Sequence, residues 1–266
     1  MNIDKITLNN SLKSEINCFY YDSLTSTNTQ SWQLLKEGIK APFVVVAKQQ
    51  TAGKGQRGNQ WLSLTGGLYF TMMLPDNFCF KHPNHVTLLS AVAVVRALEM
   101  FSIPVKIKWL NDLILDHKKL GGILAETRIN QGHINNILVG IGVNFNNNVD
   151  DFAINIKSYY QKYYYDLDFQ IIDLLKKIIN QIFSNYYLYE EESINPIIKI
   201  YNQYLIYPQN EVIYDGNNGQ VKGADSLGNL LVKFSAEGAS SQVKFAPHLY
   251  RVTPIQQKII PEIYEI

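Results

Sequence analysis

Three glycines, at 53, 55 and 58, alternate with Lys54 and Arg57 in the stretch KQQTAGKGQRGNQW that spans residues 48–61. A pliable backbone carrying fixed cations suits a loop that grips an anion. The same spacing satisfies the glycine fingerprint of dinucleotide sites. That fingerprint requires a helix directly after the glycines, so that its N-terminus meets the pyrophosphate. No helical pattern follows here. The chain runs through Trp61 and the Thr65-Gly66-Gly67 turn into Leu68–Leu74, whose aromatic, β-branched and aliphatic residues read as a strand. Asp76 mimics the ribose-binding acid by distance alone, since Pro75 and Asn77 on either side make it a turn residue.

Four further segments hold more polar and glycine residues than sheet building needs: Ser26-Thr27-Asn28, Lys108-Trp109-Leu110-Asn111-Asp112, Lys118-Lys119-Leu120-Gly121-Gly122, and Gly140-Ile141-Gly142-Val143-Asn144. Gln50 joins them at the entrance to the glycine loop. Each has a plain alternative. The hydroxyls at 26 and 27 can cap a helix, Lys118 and Lys119 can form a solvated turn, and Asn144 can close a strand. Two adjacent glycines opening a strand nevertheless suggest that a ligand approaches the backbone closely.

These groups need a scaffold, and the composition supplies one. The 266 residues are 46% hydrophobic, enough for one large domain or a medium domain with a small one. Twenty-four Lys and Arg against 23 Asp and Glu leave a net charge of +1, so no global field holds a polyanion and DNA is not an expected partner. Cys18 and Cys79 sit among aromatics and read as buried, reduced thiols of a cytoplasmic protein. The N-terminus lacks a signal-peptide pattern, and the most apolar helix candidate is interrupted by Arg96 and Glu99, so no membrane partner is expected. The five histidines show no metal spacing, and His82 and His85 read as surface residues of a connection.

Strands are expected at Cys18–Tyr21, Phe43–Ala47, Leu68–Leu74, Val105–Trp109, Leu113–Leu115, Gly122–Ile129 and Ile134–Val143. Helices are expected at Thr29–Lys36, His85–Phe101, Phe169–Tyr189 and Asn195–Leu205, and the Tyr-rich segment Tyr159–Tyr165 reads as irregular. This is an α+β domain with a mixed, mostly antiparallel sheet and packed helices. From Tyr207 the pattern changes to short strands at Glu211–Tyr214, Gly219–Ala224, Leu230–Phe234 and Gln242–Phe245, separated by Asp-Gly, Leu-Gly and Glu-Gly turns, which reads as a small β-barrel. The division is therefore 1–206 and 207–266.

In this order, the glycine loop ending in Trp61, the Lys-Trp-x-Asn-Asp segment and the Lys-Leu-x-Gly-Ile-Leu segment resemble the catalytic domain of biotin protein ligases over roughly residues 18–250. The resemblance implies a class II aminoacyl-tRNA synthetase-like sheet, an SH3-like C-terminal barrel, and a two-step reaction with biotin, ATP and Mg²⁺. Biotin is adenylated to biotinyl-5′-AMP and then passed to a lysine of the biotin carboxyl carrier protein of acetyl-CoA carboxylase. It also implies roles. Lys119 meets the biotin carboxylate and the phosphate, and Arg57 and Lys54 fold over the adenylate on hinges at Gly53, Gly55 and Gly58. Ser26, Thr27, Asn28 and Gln50, with the backbones of Gly122, Gly140 and Gly142, line the biotin pocket. Asn144 and Trp61 lie near adenine, Lys108 and Asn111 near the triphosphate, and Asp112 at the metal.

The sequence departs from the family pattern in two places. Gln56 and Asn59 stand at loop positions that are often basic, and Leu110 stands where proline is usual. A lipoate or octanoate ligase or transferase is the nearest rival, and its arginine–glycine motif is not found. A biotin-binding protein without catalysis is a second rival. A repressor needs a DNA-binding module before the catalytic domain, and fewer than about twenty residues precede the first expected strand. An exposed sheet edge leaves a homodimer open.

Overall fold

The computed structural model describes residues 2–7, 15–130, 133–164, 167–207, 211–214, 217–236, 239–246 and 253–254. Strands β1 (Asn2–Thr7) and β2 (Glu15–Leu24) lead into α1 (Thr27–Lys36), and β3 (Phe43–Lys54) turns back through a short 3-10 turn at Gln56–Gly58 into β4 (Gln60–Ser63). Then come β5 (Leu68–Met73), α2 (Pro83–Glu99), β6 (Lys106–Lys108), β7 (Asp112–Leu115), β8 (Lys118–Asn130) and β9 (His133–Val143). Helices α3 (Ile156–Tyr163), α4 (Ile171–Glu192) and α5 (Asn195–Tyr204) follow. The remaining strands are β10 (Glu211–Tyr214), β11 (Asn217–Ala224), β12 (Leu230–Ala236), β13 (Ala239–Phe245) and β14 (Thr253–Pro254).

The first nine strands form one sheet in the order β1-β2-β3-β5-β9-β8-β7-β6, with β4 paired to β3. Every pairing is antiparallel except β2 with β3. A parallel pair needs a crossover, and α1 supplies it. The mixed, largely antiparallel α+β architecture expected from the sequence is therefore present.

Side chains alternate across a strand, so each strand feeds both faces of the sheet. Val44, Phe70, Met72, Ile107, Leu113, Ile123, Val139, Ile141 and Val143 join the residues of α2, α4 and α5 in the main core. Helix α2 lies in the middle of that layer, with Val86 and Leu88–Val95 buried, and packs against α4 and α5 as well as β8 and β9. On the opposite face α1 covers only part of the sheet, through a small cluster of Phe19, Leu34, Phe43, Val45, Met73 and Leu138.

The second sheet is antiparallel, in the order β13-β12-β11-β10-β14, around Tyr207, Val212, Val221, Leu230, Val232 and Phe245. The expected Asp215-Gly216 and Glu237-Gly238 turns lie outside the described residues. The Leu227-Gly228 turn is described, with Gly228 at φ +82°. Trp109 Nε1 donates to Gly228 O (2.9 Å) and Asn84 Nδ2 to Leu227 O (2.9 Å), tying the turn between β11 and β12 to the end of β6 and to the start of α2.

Several expectations need correction. Strand β1 was not anticipated; its Ile3 is 59% exposed, so it sits as an edge ribbon with no two-sided apolar run to announce it. The Tyr-rich segment is helical, because Ile156, Tyr159, Tyr160 and Tyr163 recur at helical spacing and the first three are buried; Tyr165 lies outside the described residues. His85 is not a surface residue. It sits in α2 at 4% exposure, bonded through Nε2 to Ser226 O (2.7 Å) and through Nδ1 to the Tyr189 hydroxyl (3.1 Å). Cys18 is buried, whereas Cys79 is exposed.

Candidate active site

Helix α1 begins without a side-chain cap. Ser26 occupies the N-cap position at φ −159° and its hydroxyl makes no capping bond. The orphan N–H of Thr27 is instead satisfied by Gln50 Oε1 of β3 (2.8 Å). Ser26, Thr27 and Asn28 are buried, and with the cap supplied from a strand their polar atoms turn inward. Gln50 Nε2 donates to Ser63 Oγ (2.7 Å), which donates to Trp61 O (3.1 Å). Thr71, buried in β5, places its hydroxyl 2.6 Å from Asn28 Oδ1 and 2.8 Å from Thr27 Oγ1.

Beside this polar cluster the sheet presents a row with little side-chain bulk. Strand registers align Tyr69 of β5 with Gly142 of β9, Gly142 with Gly122 of β8, Gly122 with Asp112 of β7, and Asp112 with Lys108 of β6. Gly140 lies two residues from Gly142 on the same face and pairs with Thr71. The glycines are required by the protein's own groups. A Cβ on Gly140 would collide with Asn28 Oδ1, one on Gly142 would come within 2.6 Å of Trp61 Nε1, and one on Gly121 within 2.5 Å of Gly142 O. Gly122 differs, since its Cβ would meet nothing nearer than Asp112 Oδ1 at 3.7 Å. Close ligand approach is therefore not needed to explain Gly121, and Gly122 carries that expectation alone.

Lys119 opens β8, where its N–H donates to Phe152 O (3.1 Å) and its carbonyl accepts from Ile154 N (3.0 Å). Its ammonium lies 2.9 Å from Asp112 Oδ1 and 5.2 Å from the Trp61 ring centre. Its side chain is only 12% exposed, so it is not half of a solvated lysine pair, whereas Lys118 is exposed. Trp61 closes the site from above. Its indole N–H is buried without a partner, a state shared among the described side-chain atoms only by Asn185 Oδ1. Asn144 follows β9, with its N–H on Leu120 O (2.8 Å) and its amide oxygen accepting from Asn147 Nδ2 (3.0 Å). Asn111 pins its turn to β8, donating through Nδ2 to Ile123 O (2.9 Å) while its own carbonyl accepts from Ile123 N (3.1 Å). The Trp109–Leu110 peptide in that turn is cis.

The glycine loop is a hairpin tip. Gly53 pairs with Trp61 and Lys54 with Gln60, and Gly55 N donates to Asn59 O (2.7 Å). Gly58 at φ +82° provides the left-handed residue, and Arg57 adopts φ +58°, a conformation unfavourable for a residue with a side chain. Lys54 and Arg57 are exposed on this tip.

The structure thus gathers the expected residues into three groups. Ser26, Thr27, Asn28, Gln50 and Gly140 form the polar end of the face. Lys119, Asp112, Trp61, Gly122, Gly142 and the flanking Lys108, Asn111 and Asn144 form the charged end. Lys54, Gly55, Arg57 and Gly58 project on the hairpin. Gly140-Ile141-Gly142 on β9 and the Gln50–Ser63–Trp61 bonds connect the first two groups. Sequence reasoning missed Ser63, Thr71, Trp32 and Glu126. Glu126 receives Asn28 Nδ2 on one oxygen (2.8 Å) and Trp32 Nε1 on the other (2.8 Å), and the Arg128 guanidinium stacks 4.1 Å over Trp32. A lone threonine inside Leu68–Met73, and a glutamate four residues beyond Gly122 and two beyond Leu124 on the same face, were the available signals.

Known proteins similar to this chain include several ligases. The Bifunctional ligase/repressor BirA of Bacillus spizizenii is 34% identical over 151 residues, covering 55% of this chain and 46% of that protein. The Biotin--[acetyl-CoA-carboxylase] ligase of Paracoccus denitrificans is 32% identical over 122 residues, covering 45% of this chain and 50% of that protein. The chain thus spans about half the length of these curated relatives. The solved biotin protein ligase from Aquifex aeolicus in complex with biotin and ATP superposes with a TM-score of 0.68 at 26% identity, over 85% of this chain and 98% of that one. Residues 20–144, the stretch that carries nearly all of the site, match the Biotin/lipoate A/B protein ligase family model.

Proposed function

We propose that the protein adenylates biotin with MgATP and transfers the biotinyl group to a lysine of a biotin carboxyl carrier protein. The observation that carries this reading is the Lys119–Asp112 pair, largely shielded from water beside the Gly122–Gly142 row and beneath Trp61. Joining a carboxylate to a triphosphate brings two anions together, so a fixed cation in a dry site lowers the barrier. The biotin carboxylate attacks the α-phosphate of ATP and pyrophosphate leaves. The carrier amine then attacks the acyl carbon, and AMP departs with the bond electrons.

Lys119 exchanges Asp112 for the reacting anions, and Lys54 and Arg57 close from the hairpin once the adenylate has formed. Ser26, Thr27 and Gln50 receive the ureido ring, and the orphan Trp61 N–H offers a donor to an acceptor on the ligand. Asn144 lies toward adenine, with Lys108 and Asn111 toward the triphosphate. Asp112 is the residue that would hold Mg²⁺, whose charge offsets that of the phosphates. Among the described residues no three His, Cys, Asp or Glu side chains cluster, and a single carboxylate suits a metal that enters with its nucleotide.

Residues 1–206 form the catalytic domain in this reading, and 207–266 form an SH3-like barrel built on the second sheet. The cytoplasm supplies ATP and keeps Cys18 and Cys79 reduced. No helix among the described residues is long and apolar enough to cross a membrane. DNA is not a partner in this account, and any homodimer uses a free edge of the first sheet.

The test is to mix the protein with MgATP, biotin and a folded carrier domain and to weigh the carrier by mass spectrometry. One biotinylated lysine is expected. An unmodified carrier, or one acylated by lipoate in place of biotin, overturns the assignment.

A further inference from the structure

Resting on that reading of the site, we infer that Glu126 is a positioning residue: its carboxylate sets the direction of a hydrogen-bond chain through Asn28 and Thr71 that leaves Thr27 Oγ1 and Gln50 Oε1 as acceptors for the N–H groups of a cyclic urea. Both Glu126 oxygens are engaged by N–H donors, Trp32 Nε1 at 2.8 Å and Asn28 Nδ2 at 2.8 Å, so the carboxylate acts wholly as an acceptor. The Asn28 amide must then turn its NH₂ toward Glu126 and its oxygen toward Thr71. Thr71 has one proton and two oxygen neighbours, Asn28 Oδ1 at 2.6 Å and Thr27 Oγ1 at 2.8 Å. An amide oxygen accepts only, so the proton goes to Asn28.

The Thr71–Thr27 contact is then bridged by the proton of Thr27. That proton is consequently not spent on Gln50 Oε1, 3.2 Å away, which is already held by Thr27 N–H at 2.8 Å. Thr27 Oγ1 keeps its lone pairs, and Gln50 Oε1 keeps one. Reversing Asn28 reverses each step. Its NH₂ donates to Thr71, Thr71 donates to Thr27, and Thr27 donates to Gln50, consuming one acceptor site on each of the last two groups. The Glu126 carboxylate, on the far side of Asn28 from these atoms, thereby selects what the polar end of the site offers a ligand.

Glu126→Gln tests this. Its amide has one acceptor atom for two N–H donors and favours the reversed chain. In biotin-dependent ATP–pyrophosphate exchange the expected result is a roughly tenfold higher KM for biotin, with kcat and the KM for ATP changed by less than about threefold. Thr71→Val, which keeps the side-chain shape, cuts the chain in its middle and gives the same biotin-selective rise. Combining it with Glu126→Gln adds little, because both break one chain. An unchanged KM for biotin in the folded variants, an equal rise for biotin and ATP, or effects that multiply would overturn the inference. Exchange that is absent from the wild-type protein would instead overturn the functional reading.

Discussion

The two faces of the nine-stranded sheet are made by the same strands and obey different rules. On β9, Val139, Ile141 and Val143 enter the apolar layer of α2, α4 and α5, while the residues between them, Gly140 and Gly142, lie against Asn28 and Trp61. The first face is specified by volume, since hydrophobic residues of about the right size suffice. The second is specified by particular atoms: an ammonium beside a carboxylate, a backbone without Cβ atoms, and hydroxyls whose protons are ordered. Substitutions on the first face should therefore cost stability, and substitutions on the second should cost chemistry.

Lys119→Ala is the sharpest test of that division. Removing a cation that acts on developing charge is expected to lower adenylation by roughly 10²–10³-fold, while the chain still folds, with a lower melting temperature because Asp112 loses its cation. The opposite face gives the opposite result. Leu88→Ala, at a position in α2 with 0% exposure, is expected to destabilise the protein by about 2–5 kcal/mol in denaturant titrations while each folded molecule keeps its activity.

The glycines refine the comparison within the polar face. Gly142→Ala places a methyl group 2.6 Å from Trp61 Nε1, so it should cost about 1–3 kcal/mol as the indole shifts. Gly122→Ala meets no atom closer than 3.7 Å and should leave stability within about 0.5 kcal/mol. It should nevertheless weaken biotin binding by calorimetry, because the added methyl group would stand on the face where the account places the ligand, with Asp112, Trp61 and Asn111 only in ordinary contact with it. Equal stability losses in the two variants would remove the distinction.

The smallest effect concerns a titrating group on the helical side. Burial holds the His85 imidazole below its ordinary pKa of 6.5, against the opposing effect of its bond to Ser226. As pH falls through 6.5, the unfolded chain gains a proton that the native state resists, so stability declines toward acid and is restored above that pH. Thermal melts at about pH 5.5 and 7.5 should show this slope, and His85→Gln should flatten it.

What was legible in the sequence follows the same division. Leu68–Leu74 was readable as a strand from its continuous run of aromatic, β-branched and aliphatic residues, which the structure buries on both faces over Leu68–Met73, and the two helices after β9 that begin near Phe169 and Asn195 because their apolar stripes recur every three to four residues. The segment Tyr159–Tyr165 read as irregular because tyrosine is a modest helix former, whereas the buried spacing of Ile156, Tyr159 and Tyr160 holds Ile156–Tyr163 as a helix. The charged end of the site was legible because Lys119, Asp112 and Trp61 stand in segments too polar and too glycine-rich for sheet building. The roles of single atoms were not. The capping of α1 by Gln50, twenty-three residues away, and the bond from Asn28 to Glu126, ninety-eight residues away, are long-range pairings that no local pattern encodes.

The central claim is that biotin and nucleotide meet on the Gly122–Gly142 row between Trp61 and Lys119. A crystal structure with a non-hydrolysable biotinyl-adenylate analogue tests it most directly. The account predicts the acyl–phosphate linkage within hydrogen-bond distance of Lys119 Nζ, the ureido ring on Thr27 and Gln50, and the ligand lying against Gly122. An analogue bound elsewhere on the molecule, with the Lys119–Asp112 pair left intact, would contradict it.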